Sequence, residues 1–257
     1  MTSGTQASIN PKTGLPFHLR VERGETQKDV NTSVLKELIK RIDRNKIFRA
    51  IDLPCGSGGF LKYIHAIFPK ANLSGADIIM PVDVPENTQC FQMDLTKDFN
   101  IPETEKYDLI TSISGIMMFG NTQNFIENCS RRLETGGLLV LTNDNASTII
   151  DRLAFLFLGR HRQFPLVFED NQGITQNIPI QEVVRLLRAN KFEIDKVEYT
   201  SFYRKDLKFL PFILLFAPFQ YLYIKTIKTS IKKEVINQMF GLKQYLHKHY
   251  IIYAIKK

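Results

Sequence analysis

There is no tryptophan in the 257 residues, and the only cysteines are Cys55, Cys90 and Cys129. An odd number without paired spacing excludes a disulfide framework and a cysteine-based zinc cluster. No metal is therefore expected, and a reducing cytoplasm is the expected compartment. Residues 1–10 lack the apolar run that a secretory signal needs. Repeats and low-complexity tracts are missing as well. With 44% hydrophobic and 23% charged residues, the chain is neither disordered nor collagenous. Its length suits one large domain with an elaboration and can bury a sizeable core.

Acidic residues are scarce in one section. Residues 201–257 hold 11 Lys/Arg against 2 Asp/Glu, a net +9, whereas the first 200 residues carry 23 basic and 24 acidic side chains, a net −1. A neutral body with a basic tail section points to a polyanionic partner or an anionic membrane surface.

What is present is alternation. Val30, Val34, Leu35, Leu38, Ile39 and Ile42 recur at helical spacing, and so do Phe60, Leu61, Ile64 and Phe68. Compact apolar runs over 48–53, 73–78, 90–94, 107–114 and 137–142 predict strands, with a helix over 124–133 before the last and a turn at Gly136. A further helix over 181–189 and strand over 192–199 follow. Strand and helix at this spacing predict a doubly wound α/β fold, a mostly parallel sheet covered on both faces.

The sharpest signal is Asp52-Leu53-Pro54-Cys55-Gly56-Ser57-Gly58-Gly59, between a buried strand and a helix. Glycines there let the backbone approach a ligand and turn sharply into the helix. A dinucleotide fingerprint fails because its third glycine position falls on Leu61, and no Walker loop is present. Asp77 and Asp94 end the next two strands. This pattern resembles the first motif and strand-end acids of class I S-adenosylmethionine-dependent methyltransferases. Asp108 to Ser114 is similar to that family's fourth strand, and Leu133-Glu134-Thr135-Gly136-Gly137 to its entry into strand five. The Asp-x-Pro-x-Gly-x-Gly variant is closest to bacterial methyltransferases of envelope-polysaccharide clusters; Pro54 stands where the family usually has its first glycine.

The resemblance implies a Rossmann-like sheet of seven strands and S-adenosyl-L-methionine as cofactor. It implies Asp52, Pro54, Gly56 and Gly58 at the cofactor turn and Asp77 on the ribose hydroxyls. Asp94 would lie near the adenine amino group, with Ile78 and Leu95 flanking the purine. It also implies a last strand, 249–257, returning antiparallel to the sheet edge. Gly115-Ile116-Met117-Met118-Phe119 occupies the place where relatives carry Glu-His, so no catalytic residue is assigned. His161, Asp144, His18 and Glu25 stay open between functional and structural roles. Nucleic acid is not an expected partner: no Asn/Asp-Pro-Pro-aromatic motif follows the fourth strand, and Pro54-Cys55 lies in the cofactor turn, not at the place of a cytosine-methylating nucleophile.

The domain division that follows is 1–27 as an arm or lid, 28–200 as the methyltransferase core, 201–245 as a basic apolar helical insertion and 246–257 as the closing strand. In the insertion, the 16 uncharged residues 209–224 are broken by Pro211 and Pro218, which predicts two short helices. Lysines flank them. Two readings stand: a segment lying in the headgroup region of an anionic membrane, or a packed lid or dimer face. The expected acceptor is an oxygen or nitrogen on a small molecule or lipid-linked envelope saccharide. A quinone or other lipid is the alternative, and a non-catalytic cofactor-binding, membrane-docking subunit is another.

Overall fold

The computed structural model describes residues 10, 15–16, 19–116, 120–162, 164–169, 176 and 178–257. Its first helix, α1 (Val30–Arg41), buries Val30, Val34, Leu35 and Leu38, the stripe that a 3.6-residue period places on one face. Lys40 and Arg41 stand in its last turn, where cations complement the negative end of the helix. There follow β1 (Arg49–Asp52), α2 (Gly59–Ile67), β2 (Asn72–Asp77), β3 (Gln89–Gln92), β4 (Tyr107–Ser112), α3 (Thr122–Arg132) and β5 (Leu133–Asp144). The second half adds α4 (Ile149–Leu158), α5 (Ile180–Ala189), β6 (Phe192–Phe202), a 3-10 turn (Arg204–Phe209), α6 (Leu210–Thr226), α7 (Lys233–Phe240), α8 (Lys243–Leu246) and β7 (His247–Lys256).

The seven strands form one sheet in the order β3-β2-β1-β4-β5-β7-β6. β1, β2, β3, β4 and β5 pair in parallel, and β7 runs antiparallel to both its neighbours. Alternate residues of the central strands feed two apolar layers. Ala50, Leu109 and Val140 face one layer with Val34, Leu61 and Phe68; Ile51, Ile110 and Leu139 face the other with Phe125, Val183 and Leu187. Each such side chain withdrawn from water contributes about 1.5–3 kcal/mol, which favours aliphatic residues at these positions.

Four expectations change. β7 is antiparallel as expected, but it is inserted between β5 and β6, and β6 forms the sheet edge. The run 209–224 forms one helix, α6, rather than two. Pro211 sits in its first turn, where the missing N–H has no partner to lose, and Pro218 lies inside it. An internal proline costs roughly 3 kcal/mol, and docking of Ile213, Phe216 and Ala217 against α4 and α8 offsets that cost. Lastly, α4 appears where no helix was read; Thr148 caps it by accepting from the Asp151 N–H. β5 also begins earlier than expected, at Leu133, with Gly136 at φ 82 in its irregular first part.

Strand order reverses between β1 and β4. In an open α/β sheet such a reversal leaves a crevice beyond the carboxyl ends of the strands. The antiparallel β7 brings its opening residues to that same end: His249 is in register with Asp144, the last residue of β5.

Candidate active site

A cleft of about 640 Å³ lies at this reversal. Of the residues singled out from sequence, Glu25, Asp52, Pro54, Gly56, Asp77 and Asp144 line it. Gly56 adopts φ 54 and Gly58 φ 98, both left-handed, which folds the backbone tightly into α2. Gly58 supports the turn from behind: a Cβ there would sit 2.7 Å from the Asp83 carbonyl oxygen and 2.5 Å from Val84 Cγ1. Asp77 holds the turn in place, accepting from the Gly56 N–H at 2.8 Å and the Ile78 N–H at 2.7 Å. Each carboxylate oxygen keeps a second lone pair for a ligand hydroxyl. Cys55 is buried beside Gly75, and desolvation pushes its thiol well above the ordinary value, so it stays protonated.

Three other predicted contacts are not brought into the cleft lining. Ile78 is exposed, and Leu95 packs into the core with Met93 and Phe99. Asp94 caps its own turn, accepting from the Thr96 hydroxyl at 2.7 Å and the Thr96 N–H at 3.0 Å; with Lys97 beside it, its carboxyl is held below the usual range. His161 stacks on Phe155, with 5.2 Å between ring centres, and is not part of the cleft lining. His18 and residues 117–119 lie outside the described residues.

The cleft is acidic. Glu22, Glu25, Asp52, Asp77, Asp83 and Asp144 line it against Arg23 and Lys62, and Lys62 is ion-paired with Asp83. Asp52 is fully buried and accepts from Thr111 Oγ1 at 2.6 Å. Burial, together with the nearby Asp77 charge, lifts its carboxyl to about 7, against the opposing pull of the Thr111 bond. Such a cleft suits a cation.

At the far end stands a chain of side chains of which the sequence singled out Asp144 but not its partners His249 and Ser114. His249 Nδ1 lies 3.0 Å from Asp144 Oδ1, and its Nε2 lies 3.3 Å from Ser114 Oγ. Since a carboxylate only accepts, Nδ1 carries the proton and Nε2 is left as an acceptor. Burial holds the imidazole pKa below the ordinary histidine value, with Asp144 pulling the other way. Ser114 has φ 58, its N–H donates to Thr142 Oγ1 at 2.8 Å, and its hydroxyl is 2.6 Å from Thr26 Oγ1. A non-glycine residue in the left-handed region is strained, and here the strain aims a hydroxyl into the cleft. Thr26, Ser114 and Asp144 line the cleft; His249, only 1% exposed, stands behind them.

Residues 22–27 cover the site. The segment is tied down by Asn31 Nδ2, which donates to the Glu22 and Arg23 carbonyls, and by the Tyr63 hydroxyl, which accepts from the Glu22 N–H. Thr26 then reaches Ser114, so the cover and the histidine chain are joined.

A seven-stranded sheet of this order, with a glycine turn after β1 and an acid ending β2, defines the class I, Rossmann-like methyltransferase fold. The chain belongs to the methyltransferase domain family, whose model matches residues 24–197. Among solved structures, it is similar to the O-methyltransferase of a trans-AT polyketide synthase multienzyme from Brevibacillus brevis, in complex with S-adenosyl-L-homocysteine (20% identity, TM-score 0.53, covering 89% of this chain and 72% of that one). It is also similar to a cyclopropane synthase from Mycobacterium tuberculosis (14%, 0.53, 91% and 87%). A third is a phosphoethanolamine N-methyltransferase from Haemonchus contortus in complex with S-adenosyl-L-methionine (14%, 0.53, 91% and 54%). No curated protein matches the chain in sequence. One fold thus serves three chemistries, and the acceptor must be argued from the site.

Proposed function

We propose that the chain transfers the methyl group of S-adenosylmethionine to a hydroxyl of a small molecule or lipid-linked saccharide. The observation that carries this reading is the acid-lined cleft with Asp77 at one end and the Asp144–His249–Ser114 chain at the other. Asp77 would receive the ribose hydroxyls, and the Gly56 turn gives close backbone approach. Asp52, Glu25 and Asp144 provide the negative surroundings that a sulfonium and an ammonium require. When bound, the donor supplies an already activated methyl group.

The chain's own work is to orient the acceptor and remove its proton. The acceptor hydroxyl gives its proton to Ser114 Oγ as Ser114 gives its own to His249 Nε2. Asp144 then stabilises the imidazolium through the Nδ1–H bond. The exposed apolar helices beside the cleft favour a second reading of the acceptor, a quinone or other isoprenoid lipid.

Calorimetry with S-adenosylhomocysteine tests the binding half. The wild type should bind, and Asp77→Ala should bind more weakly by roughly 1–3 kcal/mol, about 5- to 150-fold. Wild-type protein that ignores this ligand but binds NADH would overturn the reading.

The raised Asp52 carboxyl adds a pH test. It costs apo stability increasingly as pH climbs from the unfolded value near 4 through about 7. A bound cation cancels that cost by favouring the ionised form. S-adenosylmethionine affinity should therefore rise with pH up to about 7, by at most tenfold per unit. In Asp52→Asn the slope should vanish; an equally steep slope there would assign the titration to another group.

A further inference from the structure

A helix on the surface of a soluble domain normally turns one apolar face inward and a polar face outward. In α6 both faces are apolar. Ile213, Phe216, Ala217 and Gln220, at the i, i+3, i+4, i+7 spacing of a single face, meet the domain. Gln220 donates to the Phe240 carbonyl at 3.1 Å and accepts from the Tyr245 hydroxyl at 2.9 Å. The opposite stripe, Phe212, Leu215, Phe219 and Leu222, faces out, with Phe219 70% exposed. The neighbouring α4, packed on α6 through Ile150 and Leu153, likewise exposes its last turn, 155–158. No packed-lid arrangement leaves so much aromatic and aliphatic surface in water.

The charge around this surface says what covers it. Lys205, Lys208, Lys225 and Lys228 are exposed at the two ends of the apolar stripe. The acid in the same stretch, Asp206, is buried and paired with Lys248 at 3.2 Å. Basic side chains bracketing an outward stripe of Phe, Leu and Tyr complement anionic headgroups above hydrocarbon.

We propose that α6, with the end of α4, docks the protein on an anionic lipid bilayer, lying in the interface without crossing it. The stretch Arg204–Thr226 is long and apolar enough to cross a membrane by composition alone, but its attachments forbid that. Its midpoint is bonded to α7 and α8 through Gln220. The connection 227–232 reaches at most about 20 Å when extended, and it leads directly to α7. That helix is fixed to β6 by the Tyr199 hydroxyl on the Met239 carbonyl and by Gln238 on the Val197 N–H. A bilayer core about 30 Å thick cannot fit between elements held in contact. The elements that carry the docked face are tied to the cleft: Tyr203, just before the 3-10 turn, bonds Gln27 of the cover, and α4 begins five residues after Asp144. Docking of these elements suits an acceptor with a hydrocarbon tail. The docking itself does not depend on that acceptor.

Flotation of the full chain with vesicles tests this. Wild type should float with phosphatidylglycerol-containing vesicles at low salt, less at high salt, and weakly with pure phosphatidylcholine. A triple variant, Leu215→Glu, Phe219→Glu and Leu222→Glu, alters only the outward stripe. It should lose about tenfold or more of its vesicle partitioning while keeping wild-type Tm and S-adenosylhomocysteine affinity. Lys225→Glu with Lys228→Glu should weaken flotation on anionic vesicles alone. The proposal falls if wild type never floats or if the triple variant floats equally well. It falls too if light scattering finds a wild-type dimer that the triple variant dissolves, because the stripe is then a contact between two copies.

Discussion

Replacing His249 by alanine is expected to lower kcat by about 10²- to 10⁴-fold, the contribution of a positioned proton acceptor. S-adenosylhomocysteine should bind the variant as it binds wild type, because His249 stands behind Ser114 and does not line the cleft. That split between rate and affinity separates a role in proton transfer from damage to the fold. The pH profile separates them further. Burial keeps the imidazole pKa below its ordinary value, so kcat at saturating S-adenosylmethionine should persist into mildly acidic solution and fail only where Nε2 is protonated. In the variant, that acid limb should disappear together with most of the rate. Asp144→Asn and Ser114→Ala should each reduce kcat, since one removes the partner that fixes the tautomer and the other removes the hydroxyl that links imidazole to acceptor. Full kcat in His249→Ala would remove the histidine chain from the mechanism and leave methyl transfer to positioning alone.

The second large effect is expected at Gly58. An alanine there must hold φ 98 and press its methyl against the Asp83 carbonyl. The left-handed conformation costs about 1–2 kcal/mol and the overpacking about 1–3 kcal/mol. Tm should fall accordingly, by roughly 2–4 °C per kcal/mol in a chain of this size. Relief of the contact moves either the 83–84 segment or the turn carrying Gly56, so S-adenosylhomocysteine affinity should drop as well, because that turn must approach a ligand closely. Gly59→Ala is the control for stability: its Cβ would meet nothing within 4 Å, and its Tm should match or exceed wild type. Equal Tm in the two variants would mean that the turn relaxes freely.

These residues also mark how far the sequence could be read. The turn at 52–59 was legible because its requirement is local: a backbone that bends tightly between a strand and a helix needs glycine within a few residues. The central strands were legible for a similar reason, since burial on both faces leaves compact apolar clusters such as Leu138 to Leu141. The histidine chain was not. His249 and Asp144 are 105 residues apart and meet only because β7 enters antiparallel beside β5. A histidine at the opening of the last strand, facing an acid at the close of strand five, was the available signal, and it needs the register to be seen. The single helix α6 was hidden likewise. Pro218 argues for a break by local rules, and only the docking of Ile213, Phe216 and Ala217 overrides it. Leu95 was assigned to a cofactor surface by its position after a strand, but the fold uses it as core.

The insertion of β7 between β5 and β6 has a consequence for synthesis. A ribosome adding about 5–20 residues per second would deliver the Asp52 and Asp77 turns, and then Asp144, well before the strand that carries His249. With the two partners 105 residues apart, the emerging chain passes roughly 5–20 s with Asp144 present and His249 still unmade. During that interval β5 has an open edge and β6 has no neighbour to pair with, which leaves both edges open to pairing with another strand. Completion of the sheet and the meeting of His249 with Asp144 are the same event, so a product truncated before β7 would lack both.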